Sequence, residues 1–156
     1  MELSPEQIYT LDKFKEGTNI FLTGPGGSGK TELIRQMVTI SNETKKKIQV
    51  CALTGCAAVL LSCKAKTIHS FAGIGLANGS IDEIVKKVIS TRYKTKNWTN
   101  IDILIVDEVS MMSKKIFDCL DLIGKKSRKN DKPFGGIQLV FSGDFYQLPP
   151  IGSVGQ

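Results

Sequence analysis

The chain has 156 residues, room for one domain around one core. It is 41% hydrophobic and 23% charged with a formal net charge of +6, an ordinary globular composition whose basic balance favours polyanionic partners. No apolar run approaches the roughly 20 residues that cross a bilayer. The acid-bearing start Met1-Glu2-Leu3-Ser4-Pro5-Glu6 lacks the basic region of a secretory signal, so a reducing intracellular location with no membrane partner is expected. Cysteines 51, 56, 63 and 119 are unevenly spaced beside a single histidine, a pattern that suits free, mostly buried thiols better than zinc.

The predicted elements alternate between strand and helix. Asn19 to Thr23 is a short apolar run that stops at glycine, as a buried strand does. A helix over 31–41 follows, then a strand over Ile48 to Thr54 and a short helix over Gly55 to Leu61. Ile81, Ile84, Val85, Val88 and Ile89 recur at helical spacing, with Ser80 or Asp82 near the N-terminus. The polar, lysine-rich stretch 90–100 reads as a surface connection. Ile101 to Val106 is an apolar run ending in Asp107-Glu108. Ser113 is the expected N-cap of a helix that turns Ile116, Phe117, Leu120 and Ile123 inward. Ile137 to Phe141 is the last strand and ends at Ser142-Gly143-Asp144. Near-continuous apolar strands alternating with helices predict an α/β fold: a parallel sheet with helices on both faces. The basic runs Lys45-Lys46-Lys47, Lys114-Lys115 and Lys125-Lys126-Ser127-Arg128-Lys129 read as solvated surface.

Gly24-Pro25-Gly26-Gly27-Ser28-Gly29-Lys30-Thr31 matches the phosphate-binding pattern G-x-x-x-x-G-K-[ST], between a predicted strand and a predicted helix. Glycines let successive N–H groups point inward around an anion, and the helix N-terminus adds partial positive charge. Lys30 is expected to reach the β- and γ-phosphates of ATP, and the Thr31 hydroxyl to ligate Mg²⁺. Asp107 and Glu108, delivered by an aliphatic strand to the C-terminal sheet edge, supply the acidic partners. Asp107 is expected to hold Mg²⁺ through its water shell, and Glu108 to orient and deprotonate the attacking water. A strand-end acidic turn alone would mean little; beside a phosphate loop it gains a role.

Leu104-Ile105-Val106-Asp107-Glu108-Val109-Ser110-Met111-Met112 and Gln138 to Pro150, with Gly143-Asp144-Phe145-Tyr146-Gln147-Leu148-Pro149-Pro150 at its heart, resemble helicase motifs II and III of the Pif-type DNA helicases, superfamily-one enzymes related to RecD. Thr67 to Leu76 resembles the segment after motif Ia, and Pro133-Phe134-Gly135-Gly136 also fits. The resemblance implies that residues 1–156 form the N-terminal RecA-like ATP-binding domain of a monomeric motor. Such motors move 5′ to 3′ on single-stranded DNA in replication, repair, recombination or telomere maintenance. It also implies a nuclear, mitochondrial or cytoplasmic site, viral replication sites included.

Carried over by residue, Gln7 resembles the glutamine that reads the adenine edge, and Gln147 the one that senses the γ-phosphate. Thr54 and Gly55 resemble motif Ia, which contacts the DNA backbone, and His69, Ser70 and Phe71 the next DNA-contacting segment. Gln7 also suits a plain helix face, Phe71 a core, and His69 a structural hydrogen bond. Two departures stand out. Lys64-Ala65-Lys66 replaces the glycines usual before Thr-Ile-His-Ser. The second RecA-like domain is absent, and with it an arginine worth about 10³ to 10⁵ in rate, so the chain alone is expected to bind nucleotide and hydrolyse it poorly. A nucleotide-stabilised module that binds single-stranded DNA or a partner is the alternative. A GTPase is disfavoured because no Asn-Lys-x-Asp segment is present.

Overall fold

The computed structural model describes residues 3–23, 28–55 and 64–143. Five strands among them form one parallel sheet: β1 (Ile20–Thr23), β2 (Ile48–Ala52), β3 (Lys66–Thr67), β4 (Ile103–Asp107) and β5 (Gln138–Gly143), in the order β1-β5-β4-β2-β3. The helices are α1 (Pro5–Lys15), α2 (Ser28–Glu43), α3 (Ile68–Ala72), α4 (Ile81–Ile89), α5 (Arg92–Thr99) and α6 (Lys114–Arg128). Short 3₁₀ turns at Val109–Met111 and Pro133–Gly136 precede α6 and β5.

Side chains alternate along each strand, and both faces are covered, which explains the near-continuous apolar runs. Val50, Ala52, Ile103, Ile105 and Val140 point to one face, where they pack with Leu11 and Phe14 of α1 and Leu33, Ile34 and Met37 of α2. Cys51, Leu104, Val106, Leu139 and Phe141 point to the other, beneath α3, α4, α5 and α6. The expected two-faced α/β architecture is therefore present. Burial pushes the Cys51 thiol far above its ordinary range, with Lys66 opposing. Burial also raises Cys119; Lys115 opposes and Asp118 reinforces. Both free thiols are inert, buried packing groups. Cys56 and Cys63 lie outside the described residues.

Helix starts follow local chemistry. Ser80 caps α4 in a reciprocal box with Glu83, and Ser113 caps α6 by accepting from the Ile116 amide at 3.2 Å. Ser4 and Gln7 form the same reciprocal box at the start of α1, with Pro5 in its first turn.

Three expectations are corrected. Residues 90–100 are not a surface connection: Arg92–Thr99 is helix α5, and Trp98 is fully buried with its ring 5.2 Å from Phe71. Phe117 does not turn fully inward; it is 39% exposed and lies edge-on across Phe134 and Phe141. The basic run at the end of α6 is not all solvated. Arg128 donates from Nε to the Gly135 carbonyl (2.8 Å) and from Nη1 to the Trp98 and Ile101 carbonyls (2.9 and 3.0 Å). One guanidinium thus ties α5, the connection into β4 and the turn before β5 to α6, using the fork geometry that lysine lacks.

Candidate nucleotide and nucleic-acid site

Parallel strands bring their C-terminal ends to one side of the sheet. The register sets Thr23 opposite Gly143, Ala52 opposite Asp107, and Ala52 opposite Thr67 on the other flank. Segments leaving β1, β2, β3, β4 and β5 therefore start from a common edge.

Helix α2 begins at Ser28 rather than Thr31, so Gly29, Lys30 and Thr31 occupy its first turn. Its first N–H groups have no partner within the helix and present partial positive charge. Gly24, Pro25, Gly26 and Gly27 lie outside the described residues, as does Gln147 with the rest of its loop. Gln7 stands against this turn: its Nε2 is 3.9 Å from where a Cβ on Gly29 would sit. Its Oε1 accepts from the Ser4 amide at 2.9 Å. The same side chain therefore caps α1 and directs its amide nitrogen to the α2 start.

Asp107 ends β4, and its Oδ1 accepts from the hydroxyl of Ser142 at 2.9 Å. Ser142 is fully buried on β5. Sequence reasoning missed this contact. The one available signal was a lone hydroxyl in the apolar run of β5, which needs a polar partner when buried. With Asp107 read as the expected Mg²⁺ ligand, replacing Ser142 with Ala should weaken magnesium-dependent nucleotide binding about tenfold, the usual cost of losing a residue that orients a metal-binding carboxylate. Titrating Mg²⁺ at fixed nucleotide measures it, and nucleotide binding in EDTA should change little.

Glu108 follows in the left-handed region (φ 59°, ψ 33°), a conformation that costs a non-glycine residue roughly 1–2 kcal/mol. Its Oε1 accepts from both the amide and the hydroxyl of Thr54, each at 3.1 Å. Thr54 was expected to meet DNA; in this structure these donors face the acidic pair. Gly55 is exposed beside it, and an added Cβ there would lie 3.9 Å from the Thr67 methyl.

Thr67 caps α3 by accepting from the Ser70 amide at 3.2 Å. Ser70 is exposed and His69 half-buried at this edge. Phe71 is corrected: it is 2% exposed and packed on Trp98, so its ring cannot stack on a base. The structure thus gathers Thr54, Gly55, His69 and Ser70 on one flank and Gln7, Gly29, Lys30 and Thr31 on the other. Asp107 and Glu108 stand between.

Where glycines were expected before Thr67, Lys64 adopts φ 55°. Its carbonyl accepts from the Gln49 side chain at 3.2 Å. Lys64 takes this left-handed conformation without being glycine, at a steric cost.

The family model described as PIF1-like helicase matches residues 2–156. The ATP-dependent DNA helicase PIF1 of Saccharomyces cerevisiae (strain YJM789) is 46% identical over 151 residues, which cover 96% of this chain and 17% of that protein. The crystal structure of Pif1 helicase from Candida albicans superposes with a TM-score of 0.86 at 40% identity, over 99% of this chain and 35% of that one. Pif1 helicase from Bacteroides, in complex with ADP-AlF3 and ssDNA, superposes with a TM-score of 0.76 at 31% identity, over 96% and 34%. The chain spans about a sixth of the length of the yeast relative and about a third of the solved chains.

Proposed function

The chain belongs to the PIF1-like helicase family, and on that premise we propose that residues 1–156 form the ATP-binding motor domain of an ATP-dependent 5′-to-3′ DNA helicase. The observation that carries this reading is the convergence at the sheet edge. A helix start bearing Lys30 and Thr31 follows β1, and an acidic pair follows β4, with its first carboxylate fixed by Ser142.

Each side chain has a defined task in this reading. Lys30 and the α2 amides bind the phosphates, and Gln7 meets the adenine edge. The oxygen donors Thr31 and Asp107 suit Mg²⁺, a hard cation that prefers oxygen and keeps several waters. When bound, the ion would supply neutralisation of the nucleotide's phosphate charge. Glu108 accepts the proton of the attacking water. Gln147 senses the γ-phosphate. Single-stranded DNA crosses the flank of Thr54, Gly55, His69 and Ser70, the kind of ligand held by the Bacteroides relative. Replication, repair, recombination or telomere maintenance is the proposed setting, in the nucleus, a mitochondrion or the cytoplasm. No described helix is long and apolar enough to cross a membrane. Unwinding by such a motor requires a second motor domain beside this one.

Thermal unfolding with and without Mg²⁺-ATP tests the reading. At a hundredfold excess over Kd, binding stabilises by about 2.7 kcal/mol, or several degrees for a chain of this size. A melting curve indifferent to nucleotide over a wide concentration range would count against it. Oligonucleotide binding that ignores an ATP analogue would instead favour a passive binding module.

A further inference from the structure

The bond between Thr54 and Glu108 joins the two flanks of the site. We propose that Glu108 is the resident occupant of an oxyanion position built by Thr54, and that a backbone phosphate of single-stranded DNA competes for the same two donors. This rests on the reading above, in which Glu108 is the base and the Thr54 flank meets DNA.

The geometry carries it. The amide and the hydroxyl of Thr54 both end on one carboxylate oxygen, Oε1, at 3.1 Å. Two convergent donors from one residue are what a phosphate oxygen also takes. Thr54 lies just past the end of β2, whose Ala52 is registered against Asp107 on one side and Thr67 on the other. A strand of DNA lying across Gly55, His69 and Ser70 therefore passes the position that Glu108 now fills. Glu108 reaches it from a left-handed backbone (φ 59°) held by the following 3₁₀ turn, where the Met111 amide donates to the Glu108 carbonyl at 2.9 Å. The backbone stays in place while the side chain can swing.

The chemistry of the two states differs. Tied to Thr54, Glu108 spends acceptor capacity on two donors. Released, it regains that capacity for water. DNA occupancy thus frees Glu108 from Thr54, and by linkage Glu108 opposes DNA binding by the same factor.

The test is a two-by-two cycle of oligothymidylate affinity, read by fluorescence anisotropy on the 156-residue chain at one salt concentration. Glu108→Ala should tighten binding about tenfold, the worth of one charged hydrogen bond. In the Thr54→Val background the same change should gain about threefold or less. A simple loss of negative charge predicts equal gains in both backgrounds, and that result overturns the exchange. Glu108→Gln, which keeps an acceptor of the same shape, should give a smaller gain of the same sign and serves if the alanine variant folds poorly. Binding with strictly additive variants overturns the exchange alone. No oligonucleotide binding by any variant, with a Mg²⁺-ATP melting shift intact, overturns the DNA assignment along with it.

Discussion

Replacing Gly135 with Ala should cost the protein about 2–5 kcal/mol, a large share of a total of about 5–15. A Cβ at Gly135 would lie 2.3 Å from the Gly124 carbonyl oxygen and 2.8 Å from the Arg128 Cδ. Neither the α6 backbone nor the clamped arginine can retreat cheaply. Gly135 also sits at φ +71°, where a side chain adds roughly 1–2 kcal/mol of strain, on top of about 1–3 kcal/mol for overpacking.

Gly124→Ala separates the two effects. Gly124 lies inside helix α6, where alanine normally gains about 1 kcal/mol. Here its Cβ would meet the Phe134 carbonyl oxygen at 2.6 Å, so a loss is expected instead. Gly17→Ala is the control for backbone strain alone, since its φ is +89° and nothing lies within 4 Å of an added Cβ. Urea unfolding of the three variants should rank them Gly135→Ala, Gly124→Ala, Gly17→Ala. Equal losses would show that strain rather than contact governs this turn. The functional stake is position: this turn feeds β5, which carries Ser142 to Asp107.

The second large effect is at the nucleotide. Lys30→Ala should weaken Mg²⁺-ATP binding on the order of 10- to 100-fold, by loss of charge-assisted hydrogen bonds worth about 1.5–3 kcal/mol. Without nucleotide the variant should melt within about 1 kcal/mol of the parent, because a partly exposed lysine in a first helical turn adds little to the fold. Nucleotide concentrations that give the parent its melting shift should leave the variant nearly unmoved. Lys30→Arg should recover only part of the loss, since a planar fork does not replace a compact ammonium. An alanine variant that binds Mg²⁺-ATP as the parent does would remove Lys30 from the phosphate site.

Strands β1, β2, β4 and β5 were legible because a two-faced sheet writes itself as unbroken aliphatic runs, as in Ile103 to Val106; the two-residue β3 (Lys66–Thr67) carries no such run and was not. Helix α4 was legible because its apolar residues recur at helical spacing. Helix α5 was not. Seven of its eight residues are polar or only partly buried, and a single buried residue, Trp98, has no periodicity to detect. Helix α1 was similarly hidden, although its Ser4-Gln7 capping box was present in the sequence. At the site, Lys30, Thr31, Asp107 and Glu108 stood out because their motifs are contiguous. The Ser142–Asp107 and Thr54–Glu108 pairs join residues 35 and 54 positions apart, and only the register of β5, β4 and β2 brings them together. The Arg128 clamp was hidden for the opposite reason: a basic run looks the same whether its side chains meet water or backbone carbonyls.

The packing of Trp98 on Phe71 has an optical consequence. It is the sole tryptophan of the chain, and it is buried in the layer that covers one face of the sheet. Its emission is therefore a single-site probe of that layer, without a contribution from the α1 and α2 side. Phe71 follows His69 and Ser70 in the same short helix and packs on this indole of α5. Tryptophan emission can thus follow events on the Thr67 to Ser70 flank without an added label, while nucleotide binding at the α2 start falls on the side that holds no tryptophan.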